Sequence, residues 1–238
     1  MILQHGFLGG GGYWAPVMAK LATMFDVVAP DLPGFAGSAA EPIPGSISGY
    51  ADALIGLADS LGVDRFSLVG HSMGGMIAQQ VAISHPGRLN RLVLYGTAPS
   101  GDLPTRFESW EQTIARFQTQ GAAAAADVVA SWFVDGRRHP YYAFTEDAGR
   151  GFNVAAAVNA MKIVPQWDVR QQLGEITAQT LIITGDRDYA TTPRQAFALW
   201  ESIPSTSLCI VPGCSHALHL ENTDVFNSIV GTFLLTGR

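Results

Sequence analysis

The hexapeptide Gly70-His71-Ser72-Met73-Gly74-Gly75 decides how this chain is read. It follows a short apolar run at 66–69 and precedes an apolar pattern of helical period over 73–85. By itself a G-x-S-x-G sequence is common. Between a buried strand and a helix it describes a tight turn that forces the serine into a strained backbone conformation and lifts its hydroxyl above the sheet. Glycine is needed at 70 and 74 because side chains there would collide as strand and helix approach. The turn also sets Ser72 at a helix N-terminus, where the dipole favours developing negative charge.

Outward from this turn, apolar runs recur at 26–30, 65–70, 91–96, 180–185 and 207–212. They are nearly continuous rather than alternating, which is how strands covered on both faces read. Helical patterns lie between them at 14–23, 47–61, 73–85, 193–203 and 223–235. This alternation predicts an α/β fold with a mostly parallel sheet and helices on both faces.

Composition narrows the function. The 238 residues are 47% apolar and 14% charged, with a net charge of −6. Such a chain has too much apolar and too little charged content for intrinsic disorder. Its acidic balance, with no Lys/Arg run, excludes phosphate neutralisation as a binding mode, so no nucleic-acid partner is expected. No stretch approaches the ~18 apolar residues of a spanning helix, so no membrane partner is expected either. Cys209 and Cys214 form neither a disulfide framework nor a zinc spacing, and no signal peptide is visible. Two reduced thiols and a cytoplasmic location are the expectation.

About 80 residues separate the runs at 91–96 and 180–185, far more than one crossover helix requires. Helical patterns at 107–120, 122–133 and 154–163 mark this excess as a helical insertion. Residues 99–167 also hold ten of the 23 aromatic side chains. The expected organisation is a core at 1–98, an inserted cap at 99–166 and the rest of the core at 167–238.

A serine hydroxyl needs a base to remove its proton. His216, in Pro212-Gly213-Cys214-Ser215-His216, emerges just past the last strand at the same carboxyl edge as Ser72. His219 is its nearest competitor, while His71 points away and His85 ends the next helix. The base in turn needs a carboxylate to fix its tautomer. Asp188, in Gly185-Asp186-Arg187-Asp188, is preferred over Asp186, which lies close enough to the turn to cap it or pair with Arg187. A tetrahedral oxyanion needs two backbone donors. Met73 supplies one, and the glycine-rich His5–Gly12 loop supplies the other through Phe7, with Leu8 as the alternative. That loop lacks the phosphate-loop ending and does not match G-x-G-x-x-G.

On these motifs, with Asp31-Leu32-Pro33-Gly34-Phe35 and Glu221 after His216, the chain resembles the α/β-hydrolase family along nearly its whole length. Within it the likeness is to small carboxylesterases, enol-lactonases and carbon–carbon bond hydrolases of ring-cleavage products. The resemblance implies a mobile helical cap and no metal or organic cofactor. Two departures stand out. Ala36 takes the place of the second glycine in Gly34-Phe35-Ala36-Gly37-Ser38, and the first two strands of the family are missing ahead of His5. The strand at 26–30 then becomes a bare sheet edge, and a homodimer partner or a longer natural chain is expected to cover it.

The nucleophile position excludes the aspartate-dependent dehalogenases and epoxide hydrolases. The expected activity is hydrolysis of a small to medium, largely apolar carboxylic ester through an acyl-enzyme. A carbon–carbon hydrolase or enol-lactonase is the alternative, and a lyase using the same residues or a non-catalytic receptor stays open. The segment 99–166 holds seven acidic and six basic residues, so no strong field selects a dianion. Arg137-Arg138 offers one place for a substrate carboxylate, but adjacent arginines in a loop are more often solvated, and that is the expectation here.

Overall fold

Side chains on alternate residues of five parallel strands feed two apolar layers. In the computed structural model, which describes residues 1–106 and 108–236, the strands are β1 (Ile2–Gln4), β2 (Phe66–His71), β3 (Leu89–Tyr95), β4 (Gln179–Gly185) and β5 (Thr206–Val211). They lie side by side in chain order, every neighbour parallel. Helices α1 (Ala15–Leu21), α2 (Ile47–Ser60) and α3 (Met73–Ser84) precede β3. Between β3 and β4 come α4 (Trp110–Gln120), α5 (Ala125–Ala130), α6 (Tyr142–Ala148) and α7 (Val154–Ile163). After β4 follow α8 (Pro193–Ser202), α9 (Leu218–Glu221) and α10 (Thr223–Thr236).

The period of two along a strand sorts the core. Leu68, Leu92, Leu94 and Ile182 face α2, α3 and α8 in one buried cluster. Val69, Val93, Tyr95 and Ile183 face α1 and α10 in the other. A sheet buried on both faces leaves few positions for charge, which accounts for the low charge content. No helix among the described residues is long and apolar enough to cross a membrane.

Three expectations need correction. The run at 26–30 is not a strand: only Val28 pairs, as a single parallel bridge to Ile2. Val28 N–H donates to Met1 O and Leu3 N–H to Val28 O. Beyond it Pro30 has no N–H to continue a ladder, and the chain turns away so that the Asp31 carboxylate can accept from Gly11 N–H at 2.6 Å and Gly37 N–H at 2.9 Å. Val28 is 37% exposed at this edge. The helix expected over 107–120 begins instead at Trp110, where Ser109 and Gln112 form a capping box; Phe107 lies outside the described residues. The helix expected over 122–133 is split into a 3-10 turn, Gly121–Ala124, followed by α5. Helix α6 was not anticipated.

The segment between β3 and β4 leaves and returns through paired stems. Ser100 and Asp168 form an antiparallel bridge, Gly101 N–H donates to Trp167 O and Val169 N–H to Pro99 O. Both ends are therefore fixed to the core while the helices between them lie over the carboxyl edge of the sheet.

Close packing at the start of α3 leaves no room for a side chain. A methyl group on Gly74 would overlap the carbonyl oxygens of Gln4 and His5 at the end of β1. Gly56, on the exposed side of α2, faces open space. Gly74→Val is expected to lower the unfolding free energy by about 2–3 kcal/mol. Gly56→Ala is expected to raise it by about 0.5–1 kcal/mol. Urea denaturation of the two variants checks both signs.

Candidate active site

The residue between β2 and α3 has a backbone that an ordinary serine avoids. Ser72 sits at φ 56°, ψ −120°, a conformation whose cost is about 1–3 kcal/mol. Two hydrogen bonds fix it: Ser72 N–H donates to Tyr95 O at 3.0 Å, and the Thr97 hydroxyl donates to Ser72 O at 2.8 Å. The His5 loop presses against it from the other side. A Cβ on Gly6 would lie 2.7 Å from Ser72 Cβ and 3.2 Å from Met73 N. The backbone of the His5 loop and the first N–H of α3 are thereby brought together beside Ser72, and the first amides of a helix have no intrahelical acceptor.

His216 follows β5 and Asp188 follows β4. Their rings and carboxylate meet with His216 Nδ1 2.8 Å from Asp188 Oδ2, both side chains essentially buried. The other capacity of the carboxylate is filled. Oδ1 accepts from Ala190 and Thr191 N–H, each at 2.9 Å, and Oδ2 accepts from the Thr191 hydroxyl at 3.0 Å. Nδ1 of His216 therefore carries the proton given to Asp188, leaving its lone pair on Nε2. Gly96 makes room for the pair: at φ 49° its missing Cβ would lie 3.3 Å from Asp188 Oδ2 and 3.4 Å from His216 Nδ1. Asp186 is placed elsewhere, accepting from Gly213 N–H at 2.6 Å and lying 3.7 Å from Arg187.

Ser72, Met73, Phe7 and His216 form the floor of one cavity of about 830 Å³. Trp110, Trp132 and Met161 of the segment between β3 and β4 close it from above. The loop bearing His216 is tied to that segment. Glu221 accepts from Ser215 N–H on one oxygen and from Val134 N–H at 2.7 Å on the other, and Ala217 N–H donates to Trp132 O at 2.8 Å. Arg137 and Arg138 do not line the cavity. Arg137 Nη2 donates to Asp127 at 2.6 Å, and the Arg138 side chain is 87% exposed. The basic residues of the cavity are Arg187, named in the sequence only as a partner for Asp186, and Arg106, which no spacing or run distinguishes. Among the described residues no group of three or more His, Cys, Asp or Glu side chains is placed to hold a metal ion.

Below the floor lies a layer of buried polar aromatics. His71 Nε2–H donates to His216 O at 3.0 Å, and the Tyr95 hydroxyl donates to the same oxygen at 2.7 Å. The Tyr13 hydroxyl donates to His71 Nδ1 at 2.5 Å, which fixes that ring's tautomer. His219 lies in this layer, 3.0 Å from the Tyr95 hydroxyl, and not in the cavity. His5 donates from Nδ1 to Gly6 O at 2.8 Å and accepts at Nε2 from Leu32 N–H at 2.9 Å. Desolvation holds all three rings neutral: His5 is lowered to about 4, His219 to about 3, and His71 falls well below the ordinary range, with the nearby His216 also opposing its charge.

The alpha/beta hydrolase fold family model matches residues 1–223. The chain is 25% identical over 245 residues to a putative carbamate hydrolase, RutD, of Agrobacterium fabrum, covering 99% of this chain and 92% of that protein. It is 27% identical to 2-hydroxy-6-oxo-6-phenylhexa-2,4-dienoate hydrolase of Burkholderia cepacia, over 100% of this chain and 88% of that one. Among solved structures it is similar to the enol-lactonase from Burkholderia xenovorans LB400, with a TM-score of 0.88 and 28% identity over 98% of this chain and 90% of that chain.

The buried neutral histidines make stability acid-sensitive. The unfolded chain takes up these protons near pH 6.5, while the folded chain resists them until about pH 4 or below. Their contribution is complete above pH 6.5 and is lost as pH falls from there. Each ring is expected to cost about 1.4 kcal/mol per pH unit over that window. Denaturation midpoints between pH 7 and 4.5 should fall steeply, and His219→Phe should flatten the slope by about one proton.

Proposed function

The chain belongs to the alpha/beta hydrolase fold family, and from that premise we propose that it is a serine hydrolase cleaving a carboxylic ester of a small to medium, largely apolar substrate. One observation carries the reading. A serine held at positive φ at the N-terminus of α3 opens into the same cavity as a histidine whose Nδ1 is bound by a buried carboxylate. The mostly apolar walls, with Trp110, Trp132, Phe133 and Met161, suit an apolar acyl or alcohol group.

In this mechanism Ser72 Oγ attacks the ester carbonyl while His216 Nε2 takes its proton. Asp188 holds the imidazole in the required tautomer and stabilises the imidazolium. The oxyanion forms against the Phe7 and Met73 amides, which the Gly6 approach brings together. His216 then protonates the departing alcohol. Water, deprotonated by His216, attacks the acyl-enzyme and releases the acid. The segment 99–166 acts as the cap, excluding bulk water from this sequence of steps.

The likeness to an enol-lactonase and to a dienoate hydrolase favours a second reading, hydrolysis of a lactone or of a carbon–carbon bond in a ring-cleavage product. The same serine, histidine and aspartate serve it. A panel of short and long esters, lactones and vinylogous diketones separates the two by kcat/KM. A burst of nitrophenol ahead of steady state marks an acyl-enzyme and excludes a lyase.

Ser72→Ala is expected to lower kcat on a nitrophenyl ester by about 10⁴-fold or more, and Asp188→Asn by about 10⁴-fold. Asp186→Asn, which weakens a turn contact to Gly213 and the 3.7 Å pair with Arg187, is expected to change kcat by less than about 10-fold. Equal losses in the two aspartate variants would refute the assignment of Asp188.

A further inference from the structure

Of the two cations lining the cavity, Arg187 is in an ion pair and Arg106 is in none among the described residues. Arg187 is 3.7 Å from Asp186 and its side chain is 59% exposed. Arg106 is more enclosed, stands in the stretch before α4, and is in no ion pair among the described residues. The nearest acidic residue along the chain, Glu108, is engaged by Arg116. The guanidinium of Arg106 lies over the Trp110 ring, with Cζ 3.6 Å from the centroid, and Nη2 donates to the Thr113 hydroxyl at 3.0 Å. Its Nε–H is buried and has no acceptor among the described residues.

A guanidinium presents five N–H donors in one plane and matches a carboxylate through two parallel bonds. Here the ring stack fixes that plane, one neutral hydroxyl takes one donor, and a buried donor is left unmatched. Leaving a buried donor unsatisfied is costly, and leaving a partly buried cation without an anion adds to that cost. Burial has lowered the pKa of Arg106 to about 10, against the opposing field of Glu108, so it stays charged at neutral pH. A positive charge in a cavity whose walls include Trp110, Trp132, Val128 and Met161 acts at a lower local dielectric than in water, where an ion selects more strongly.

We propose that the cavity takes a substrate bearing a carboxylate remote from its scissile carbonyl, and that Arg106 receives that carboxylate. The proposal rests on the serine-hydrolase reading for its chemistry, but the binding it describes does not depend on turnover. The apolar walls hold the chain between the two ends of the substrate, so the class is the half-ester or lactone of a short dicarboxylic acid rather than a neutral fatty ester. Arg106 is then a specificity-determining residue: Ser72 reacts at one end while Arg106 anchors the other.

The test compares p-nitrophenyl hydrogen adipate with p-nitrophenyl hexanoate, esters of equal acyl length that differ by the terminal carboxylate. The wild-type protein is expected to favour the anionic ester in kcat/KM. Arg106→Gln should reduce the ratio of the two values by about 10- to 100-fold, chiefly through KM, because charge-assisted bonds of this kind have that magnitude. Arg106→Lys should keep part of the preference, since it retains the charge without the planar fork. A wild-type preference for hexanoate, or a ratio that Arg106→Gln leaves within threefold of wild type, would overturn the proposal. Calorimetric titration of the Ser72→Ala protein with monomethyl and dimethyl adipate reads the same preference without chemistry. Binding selective for the monoanion together with hydrolysis of neither ester would uphold Arg106 and refute the serine-hydrolase reading. Ester hydrolysis with no anion preference in either measurement would do the reverse. If Arg106→Gln melts well below the wild-type protein, the wild-type preference and Arg106→Lys decide the question.

Discussion

The close approach of three backbone segments at Ser72 is the constraint on which the rest of the structure depends. The end of β1, the turn after β2 and the first turn of α3 converge where no side chain fits on Gly6 or Gly74. That crowding, with the bond Ser72 N–H gives to Tyr95 O and the one Ser72 O accepts from Thr97, over-determines a positive φ at a serine. The strain is offset by the hydrophobic burial on both faces of the sheet, which fixes β2 and α3 relative to each other. The same convergence sets Ser72, the Met73 amide and the His5 loop at the carboxyl edge of a parallel sheet, where the loops bearing Asp188 and His216 also emerge. In open α/β sheets ligands bind at that edge, and the cavity lies there.

The loop bearing His216 is held from two directions. From below, His71 and Tyr95 donate to its carbonyl oxygen, in a buried layer whose histidines are kept neutral by desolvation. From above, Glu221 and Ala217 connect it to Val134 and Trp132 of the segment that covers the cavity. Rearrangement of that covering segment would therefore be felt at His216 through the backbone, without any change in the sheet. A proton on one of the buried rings would act on the same carbonyl from the opposite side.

Much of this was legible in the residues alone, for identifiable reasons. Apolar runs of strand length, followed by turn residues and helical periods, specify a parallel sheet. A serine elbow inside that pattern singles out the turn at Ser72 as the candidate site. Asp188 and Asp186 were separable because an aspartate one residue after a strand is still committed to its turn, as Asp186 is to Gly213. The failures have physical causes too. Residues 26–30 have the apolar character of a strand, but pairing also requires donors, and Pro30 and the bonds of Asp31 pull the chain away. Arg106 carries no periodic or motif signal; only the fold places it over the Trp110 ring and in the wall of the cavity. Arg137-Arg138, a conspicuous pair in sequence, are held by Asp127 and solvent, as adjacent loop arginines usually are. The buried layer of His71, Tyr95 and His219 was invisible because a histidine gives no sequence sign of whether its ring is wet.

The measurement that tests the account most directly is labelling of the native protein with a fluorophosphonate, followed by peptide mapping of the adduct. If the strained turn presents Ser72 to His216 as an activated nucleophile, one equivalent is incorporated, it maps to Ser72, and unfolded protein takes up none. An adduct on another residue, or an unlabelled protein that still hydrolyses esters, would contradict the account.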